Sequence, residues 1–311
     1  MTSLPAAPRP SVATIGFFDG VHRGHRFLLD HIIAEAQTAG LASMAVTFDR
    51  HPRQVLQSDY VPQTLSTPEE KLQLLAATGL DYAAVLHFDR DMASCAARDF
   101  MRDILRDGLG VQRLVIGYDH RFGHNRAEGF EDYVRYGREL GITVEQTPAL
   151  DASGEQVSSS LVRRLLTAGD VKRAASCLGR PYTVTGTVTG GYREGRRMGF
   201  PTANLDLARL GQMLPAEGVY ATEVRVEGER QPLQGMTNIG HRPTFGTHGV
   251  TVETHILDYA ADLYGRQISL AFMSRLRGEC TFGSPEALAD QLAEDKEAVR
   301  QFFQGKNKEN K

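Results

Sequence analysis

The sequence GFFDGVHRGH at residues 16–25 decides the fold of the first half of the chain. It overlaps an apolar run rich in β-branched and aromatic residues, VATIGFF at 12–18, and leads into a stretch whose apolar residues recur at helical spacing. These neighbours predict that residues 16–25 form the loop between a strand and a helix. In open α/β sheets, ligands bind at such loops, beyond the carboxyl ends of the strands.

The glycines and histidines of this loop suit the binding of a phosphate group. The start of a helix offers N–H groups and a positive dipole, and His22 and His25 lie on the turn that enters it. Two imidazoles there can hydrogen-bond phosphate oxygens as negative charge develops. Glycines let the backbone come close to a nucleotide, and they recur as Gly16, Gly20 and Gly24. A tight turn with two surface histidines is the alternative interpretation.

Strand and helix patterns alternate from residue 12 to about residue 148. Further strands are predicted at 41–49, 82–88, 113–119 and 142–148, and helices near 27–36, 94–107 and 129–140. Thr67, Pro68 and Glu70 read as a capping box with proline at the first helical position. Strand–helix–strand succession predicts a parallel sheet with helices on both faces.

The pattern changes from about residue 182. Short runs, several of them rich in valine and threonine, lie at 182–191, 218–226, 233–240, 251–259 and 268–276, separated by turns that contain glycine or proline. They predict an antiparallel barrel or a sandwich. Residues 284–303 have the pattern of an amphipathic helix, and 158–180 that of one or two short helices joining the halves.

Charge, cysteine content and hydropathy narrow the class of protein. The net charge of −3 gives no reason to expect a general nucleic-acid or membrane-surface role. Three widely spaced cysteines, Cys95, Cys177 and Cys280, argue against a zinc site or a disulfide scaffold and fit a reducing cytosol. The chain shows neither a signal peptide nor a long apolar span. We therefore expect a cytoplasmic protein with small-molecule substrates, and weak homo-oligomer formation stays open.

Several motifs of the first half resemble one enzyme family. The F-D-G-x-H-x-G-H pattern between a strand and a helix is similar to the HxGH signature of nucleotidyltransferases. No P-loop and no GxGxxG fingerprint occurs. Three further blocks, TFDRHP (47–52), GYDHRFGHNRAEG (117–129) and VSSSLVRRLL (157–166), resemble the FMN adenylyltransferase half of the bacterial bifunctional riboflavin kinase/FMN adenylyltransferase family, the prokaryotic FAD synthetases.

The second half resembles the kinase half of the same family. The blocks that carry this resemblance are GRRMGFPTANL (195–205), NIGHRPTF (238–245) and VETHILDY (252–259). The family implies a Rossmann-like α/β nucleotidyltransferase domain followed by an all-β riboflavin kinase barrel with a C-terminal helix. The corresponding boundaries are 1–157 for the adenylyltransferase domain, 158–180 for a helical linker and 181–311 for the kinase domain.

The resemblance implies two ATP-dependent reactions with Mg²⁺, from riboflavin to FMN and from FMN to FAD with release of pyrophosphate. The catalytic residues it implies are His22, His25, Arg163 and Glu253. The residues implied for ATP and phosphate binding are Gly16, Phe17, Asp19, Gly20, Gly24, Ser158, Ser159, Ser160, Gly191, Gly195, Arg196 and Gly199. Those implied for flavin are Asp49, Asp119 and Arg242, and those for the metal are Thr202 and Asn204.

Plainer interpretations stand beside these assignments. Asp49 and Asp119 are also placed to cap loops, and Glu253, on a strand, is also placed to be a solvated face residue. The chain departs from the family pattern at Phe17, Arg50, His120, Ser160, Leu161 and Gly190. Alternative functions are a protein with a single remaining activity, a flavin carrier without chemistry, and a cytidylyltransferase-like enzyme. The last would explain only the first half.

Overall fold

The computed structural model describes residues 9–57, 59, 63–118, 120–148, 151–152, 155–190, 195, 199–241 and 249–309. The chain divides into two compact units, Met1–Ser159 and Ser160–Lys311. None of the helices within the described ranges is long and apolar enough to cross a membrane.

The first unit is built on five parallel strands in the order β3-β2-β1-β4-β5. The strands are β1 (Ser11–Ile15), β2 (Ala42–Phe48), β3 (Tyr82–Leu86), β4 (Val111–Gly117) and β5 (Thr143–Thr147). The helices are α1 (Arg23–Ala39), α2 (Pro52–Leu56), α3 (Pro68–Ala76), α4 (Arg90–Ser94), α5 (Ala97–Asp99) and α6 (Phe130–Leu140). A short hairpin, β6 (Asp151–Ala152) and β7 (Glu155–Gln156), follows. The predicted parallel α/β sheet is confirmed.

Helices cover both faces of this sheet, because its central strands are apolar on both sides. Ala13 and Ile15 of β1 pack into one core with residues of the 97–108 helix and α6, whereas Val12 packs into a second core with α1 and α3. All five residues of β1 are buried. The central strand therefore fixes the loop that follows it, which carries the histidines.

Local signals fix two of the helix ends. Thr67 and Glu70 form the predicted capping box, with Thr67 Oγ1 accepting from the Glu70 N–H at 3.2 Å. Gly40 ends α1 in the left-handed conformation at φ 68°. The helix predicted near 94–107 begins only at Ala97, because the backbone of Ala96 is extended. From Phe100 to Gly108 the helix continues as a π-helix.

The boundary between the units falls after Ser159, the first residue of α7 (Ser159–Thr167). The rest of α7 and α8 (Val171–Leu178) begin the second unit. A closed six-stranded barrel in the order β10-β11-β12-β9-β8-β13 follows. Its strands are β8 (Tyr182–Thr189), β9 (Ala203–Leu205), β10 (Gly218–Val226), β11 (Leu233–His241), β12 (Val250–Ile256) and β13 (Gln267–Arg277). Of the two architectures left open by the strand pattern, the barrel is correct, because β10 pairs with both β11 and β13 and closes the sheet.

The last helix, α9 (Pro285–Glu309), covers one side of the barrel. Ser284 begins it, since its Oγ accepts the Ala287 N–H at 3.2 Å. Val299 and Phe303 pack against Val219 and Met236 of the barrel strands. The barrel with a C-terminal helix is thus confirmed.

Candidate active site

The loop after β1 is held by a buried carboxylate. Asp19 Oδ1 accepts hydrogen bonds from the N–H groups of Leu65 (2.8 Å) and Ser66 (3.2 Å) and from Ser66 Oγ (3.4 Å). Ser66 Oγ also accepts the Gly20 N–H at 3.1 Å. Asp19 is 3% exposed, so its carboxylate points into the protein and positions the loop instead of facing a ligand.

Two glycines of the loop are required by its geometry. Gly20 has φ 72°, in the left-handed region that favours glycine. Gly24 lies in the first turn of α1, where an added Cβ would come within 2.9 Å of the Val157 carbonyl oxygen and 3.1 Å of the His22 ring. Gly16 packs similarly close to the ring of Phe18. The backbone is therefore tightly packed around the histidines.

His22 and His25 form a stacked pair at the start of α1. Their ring centroids are 3.6 Å apart with 19° between the planes. His22 is the N-cap residue, and its Nδ1 accepts the His25 N–H at 3.2 Å. Because Nδ1 is an acceptor, the proton of the neutral His22 ring is on Nε2, which is then a hydrogen-bond donor.

His25 is held in its neutral form. Its Nδ1 is buried and has no hydrogen-bond partner among the described residues, and its ring meets the Phe18 ring edge-on at 5.2 Å. Burial, and then the neighbouring His22 and His120, lower the pKa of His25 well below its usual 6.5. At neutral pH this imidazole carries no charge until an anion stabilises its protonated form.

The serine run 158–160 lies where the two units meet in the sequence. Ser159 Oγ donates to the Asp19 carbonyl oxygen at 3.0 Å, so Ser159 is tied to the histidine loop. Ser158 and Ser159 are half-buried and Ser160 is exposed. Arg163 follows on α7 and is half-buried, next to the buried Val162.

Asp49 caps the neighbouring strand ends. Its Oδ1 accepts the Phe88 N–H at 3.0 Å, and its Oδ2 lies 2.6 Å from His87 Nδ1. Although partial burial raises the pKa of Asp49, the Phe88 N–H and His87 lower it by more, so the carboxylate stays ionised. Both the loop-capping interpretation and a flavin-facing one are compatible with this geometry. Asp119 lies outside the described residues.

Lys71, a further residue at this edge, was missed by the sequence reasoning. Lys71 on α3 is 4% exposed, and its Nζ donates to the Phe48 carbonyl oxygen at 2.7 Å and lies 4.3 Å from the Phe17 ring centroid. Burial lowers the pKa of Lys71 to about 8, against the opposing influence of Asp19 and Asp49. In the sequence it is an ordinary helical lysine, and nothing in its neighbourhood marks it as buried.

Glu253 of the second unit lies on β12, within the barrel wall. Thr202 Oγ1 donates to its Oε2 at 3.3 Å, and Asn204 of β9 and Asn238 of β11 are its direct cross-strand neighbours. Thr202, in the turn before β9, is thus brought together with Asn204 of β9 and Glu253 of β12. All three are half-buried, which leaves them open to a ligand.

His255 supports the turn that carries Thr202. It is 5% exposed, and its Nδ1 lies 2.9 Å from the Pro201 carbonyl oxygen. Burial lowers the pKa of His255, the hydrogen bond to Pro201 raises it less, and the neutral ring donates from Nδ1. Since its ring also meets Phe200 edge-on at 5.4 Å, His255 fixes the backbone on both sides of Pro201.

The glycine-rich segment before this turn is described in part. Gly195 accepts the Phe200 N–H at 2.8 Å through its carbonyl, and Gly199 has φ 82°. Gly191, Arg196 and Arg242 lie outside the described residues.

One further group of metal-ligating side chains occurs in the described parts of the chain. His31 and Glu35 of α1 lie with Glu145 of β5, their ligand atoms within 4.8 Å of one another. Arg113 Nη1 donates to Glu35 Oε1 at 2.9 Å, so one of the two carboxylates of this group is already paired with a cation.

A stacked HxGH pair on a parallel sheet defines a nucleotidyltransferase, and the barrel with its threonine–glutamate pair defines a second, separate site. The FAD synthetase family matches residues 4–161, and the riboflavin kinase family matches residues 178–303. The chain belongs to the bifunctional riboflavin kinase/FMN adenylyltransferases.

Relatives with that name match nearly the whole chain. The one from Escherichia coli (strain K12) is 40% identical over 97% of this chain and 96% of its own, and that from Pseudomonas fluorescens is 38% identical over 94% and 93%. A solved structure from Streptococcus pneumoniae, titled a macrolide-efflux protein, is 30% identical with a TM-score of 0.86 and covers 94% of this chain and 95% of its own.

Proposed function

We propose that the chain makes FAD from riboflavin in two ATP-dependent steps, with one step in each unit. The observation that carries the first step is the stacked pair of His22 and His25 at the start of α1. The observation that supports the second is the contact between Thr202 and Glu253. Family membership in the bifunctional enzymes supports both.

In adenylyl transfer, the phosphate of FMN attacks the α-phosphorus of ATP. The new oxygen–phosphorus bond forms as the bond to the β-phosphate oxygen breaks, and pyrophosphate leaves. Because the attacking phosphate is already anionic, catalysis rests on positioning and charge stabilisation instead of a strong base. His22 donates from Nε2, and His25 takes up a proton as negative charge accumulates on the α-phosphate and the leaving group.

We assign phosphate binding in this step to the following loop and helix residues. The glycines at 16, 20 and 24 keep the backbone close, while Asp19 and Ser159 fix the loop. Arg163 holds the β- and γ-phosphates, and Ser158 and Ser160 add donors at the start of α7. Phe17 lines the nucleotide site, and Asp49 and Asp119 orient the flavin.

In riboflavin phosphorylation, the nucleophile is the neutral 5′-hydroxyl of the ribityl chain, so a general base assists. Glu253 takes the hydroxyl proton as the oxygen attacks the γ-phosphorus of ATP, and ADP leaves. Thr202 Oγ1 keeps the carboxylate oriented through its 3.3 Å hydrogen bond. Gly191, Gly195, Arg196 and Gly199 cover the phosphates, and Arg242 contacts flavin or nucleotide.

The residues around Glu253 fit a magnesium ion. Mg²⁺ prefers oxygen ligands, and Thr202, Asn204 and Glu253 supply a hydroxyl, an amide and a carboxylate from neighbouring positions. We assign Thr202 and Asn204 as the residues that hold it. When bound, the ion offsets the charge of the triphosphate.

The organisation of the chain completes the proposal. We place the two domains at residues 1–157 and 181–311, with a helical linker at residues 158–180. Limited proteolysis tests these boundaries. Cys95, Cys177 and Cys280 form no disulfide, which supports a cytoplasmic location. Fractionation of the producing cell tests that location.

The first experiment is an incubation of the purified protein with riboflavin, ATP and Mg²⁺, with the flavins separated by chromatography over time. FMN that appears and then gives way to FAD supports both activities. FMN alone argues for a single activity, and supplying FMN directly then tests the first unit. Bound flavin without any product favours a carrier and contradicts the proposal.

A further inference from the structure

Lys71 is a buried cation that the mechanism above does not use. An ammonium group has three N–H donors, and the Phe48 carbonyl is the single hydrogen-bond acceptor that Lys71 finds among the described residues. Burying a charge is unfavourable unless other groups compensate for it. A methionine would fill similar space without this cost, so anchoring α3 to β2 does not by itself explain a lysine here.

Two carboxylates account for the charge. Asp19 and Asp49 both lie near enough to raise the pKa of Lys71 against the effect of burial. Asp19 holds the histidine loop, and Asp49 ties the ends of β2 and β3 together. Without a cation near them, these carboxylates would repel the phosphate groups that the same edge of the sheet must bind.

Lys71 also lies at the junction of two strand ends. Phe17, whose ring it contacts, follows β1, and Phe48 ends β2. Thr47 Oγ1 donates to the Phe17 carbonyl oxygen at 3.1 Å, and the Phe17 ring meets that of His51 edge-on at 4.9 Å. The ammonium therefore holds together the two loops that flank the nucleotide site.

We propose that Lys71 is a positioning residue for adenylyl transfer, which joins the ends of β1 and β2 and offsets Asp19 and Asp49 so that this edge accepts anionic phosphates. The role rests on the proposed function of the first unit. Lys71 is buried and acts through Phe17 and the two carboxylates, without touching substrate.

The test compares Lys71→Met with Lys71→Arg, which keeps the charge. For Lys71→Met we expect kcat/KM of FMN adenylylation to fall by about tenfold or more, mainly through higher KM for ATP and FMN. Lys71→Arg should retain most of the activity. Riboflavin phosphorylation by the same molecules is assigned to the second unit and should stay unchanged, and urea unfolding followed by circular dichroism reports on whether the first unit still folds. The matched control is Lys172→Met on α8, where a lysine also lies over an aromatic ring, 5.8 Å from the Phe302 centroid.

The dependence of kcat/KM on pH distinguishes a role of the charge of Lys71 from a role of its side-chain shape. The ammonium is charged below its pKa of about 8, so kcat/KM of the unsubstituted protein should fall as the pH rises through about 8. Lys71→Arg should move this fall to higher pH, because a guanidinium does not lose its proton there. Other titratable or charged groups near Lys71 are Asp19 and Asp49, the His87 and Arg50 groups around Asp49, and His51 against the Phe17 ring.

Three results would overturn the role of Lys71. These are unchanged adenylylation in Lys71→Met, an equal loss in the methionine and arginine variants with kinase activity intact, and a profile that stays level through pH 8. If the unsubstituted protein makes FMN but no FAD, the proposed function of the first unit fails, and the role of Lys71 fails with it.

Discussion

Replacing Asp19 by alanine should loosen the histidine loop without touching the barrel. In the structure, Asp19 Oδ1 accepts the buried N–H groups of Leu65 and Ser66 at 2.8 and 3.2 Å. Leaving a buried donor unsatisfied costs about 1–3 kcal/mol, so Asp19→Ala should lower the free energy of unfolding of the first unit by roughly 2–6 kcal/mol. Asp19→Asn keeps an oxygen acceptor and should lose less.

The activity should change more selectively than the stability. Because Asp19 positions the turn before His22, a shift of about 1 Å in that loop can slow adenylyl transfer on the order of a hundredfold. Riboflavin phosphorylation should continue at its original rate, since its residues lie on the barrel strands.

Urea unfolding followed by circular dichroism, with both activities assayed in the same samples, measures these effects. Hydrogen exchange of the Leu65 and Ser66 amides gives a local readout, and both should exchange faster in Asp19→Ala. The reasoning is refuted if exchange at these two amides is unchanged, or if the variant loses less stability than Asp19→Asn.

Other substitutions separate the two sites and test their geometry. His25→Ala should abolish FMN adenylylation and spare riboflavin phosphorylation, whereas Glu253→Ala should do the reverse. Chromatography of the flavin products measures both activities. A folded variant that loses both activities would contradict the assignment of separate sites. Gly24→Ala places a methyl group 2.9 Å from the Val157 carbonyl oxygen, so it should cost about 1–3 kcal/mol of stability and lower adenylylation; wild-type activity and melting temperature would argue against that tight contact. Burial holds the pKa of His25 in the folded protein well below its usual value of 6.5. At pH values below 6.5 the unfolded chain therefore binds more protons at this residue than the folded protein does. The free energy of unfolding should consequently fall as the pH decreases through about 6.5. His25→Asn should flatten this slope in urea titrations, and an unchanged slope would assign the proton to another group.

Much of the fold follows from local patterns. The alternation of apolar runs with helical spacing identified the parallel sheet, and Thr67 with Glu70 marked the start of α3, because capping residues bond within their own turn. The choice between barrel and sandwich in the second unit was different. That choice depends on whether β10 and β13, which stand at the two ends of the strand order, pair with each other. These two strands are far apart in the sequence, so no local pattern indicates their pairing.

Contacts within a candidate site that join neighbouring residues could be predicted from the sequence, whereas contacts between distant segments could not. His22 and His25 stand three residues apart, so their adjacency at a helix start was already contained in the sequence. Strand alternation places His255 on the same face as Glu253, whereas in the structure its Nδ1 lies 2.9 Å from the Pro201 carbonyl oxygen. That contact joins β12 to the turn before β9 and could not be inferred from either segment alone.

The sequence by itself determined the order of the two units, the strand–loop–helix that carries His22 and His25, and the short motifs from which Glu253 and Thr202 were assigned. Tertiary structure alone decided that the Asp19 carboxylate points inward to Leu65 and Ser66, across 46 and 47 residues of chain. It also decided that Lys71, one of several polar residues on α3, is buried against Phe17. Local patterns reflect hydrogen bonds and packing within a few residues, whereas burial of a particular side chain depends on which distant elements pack over it.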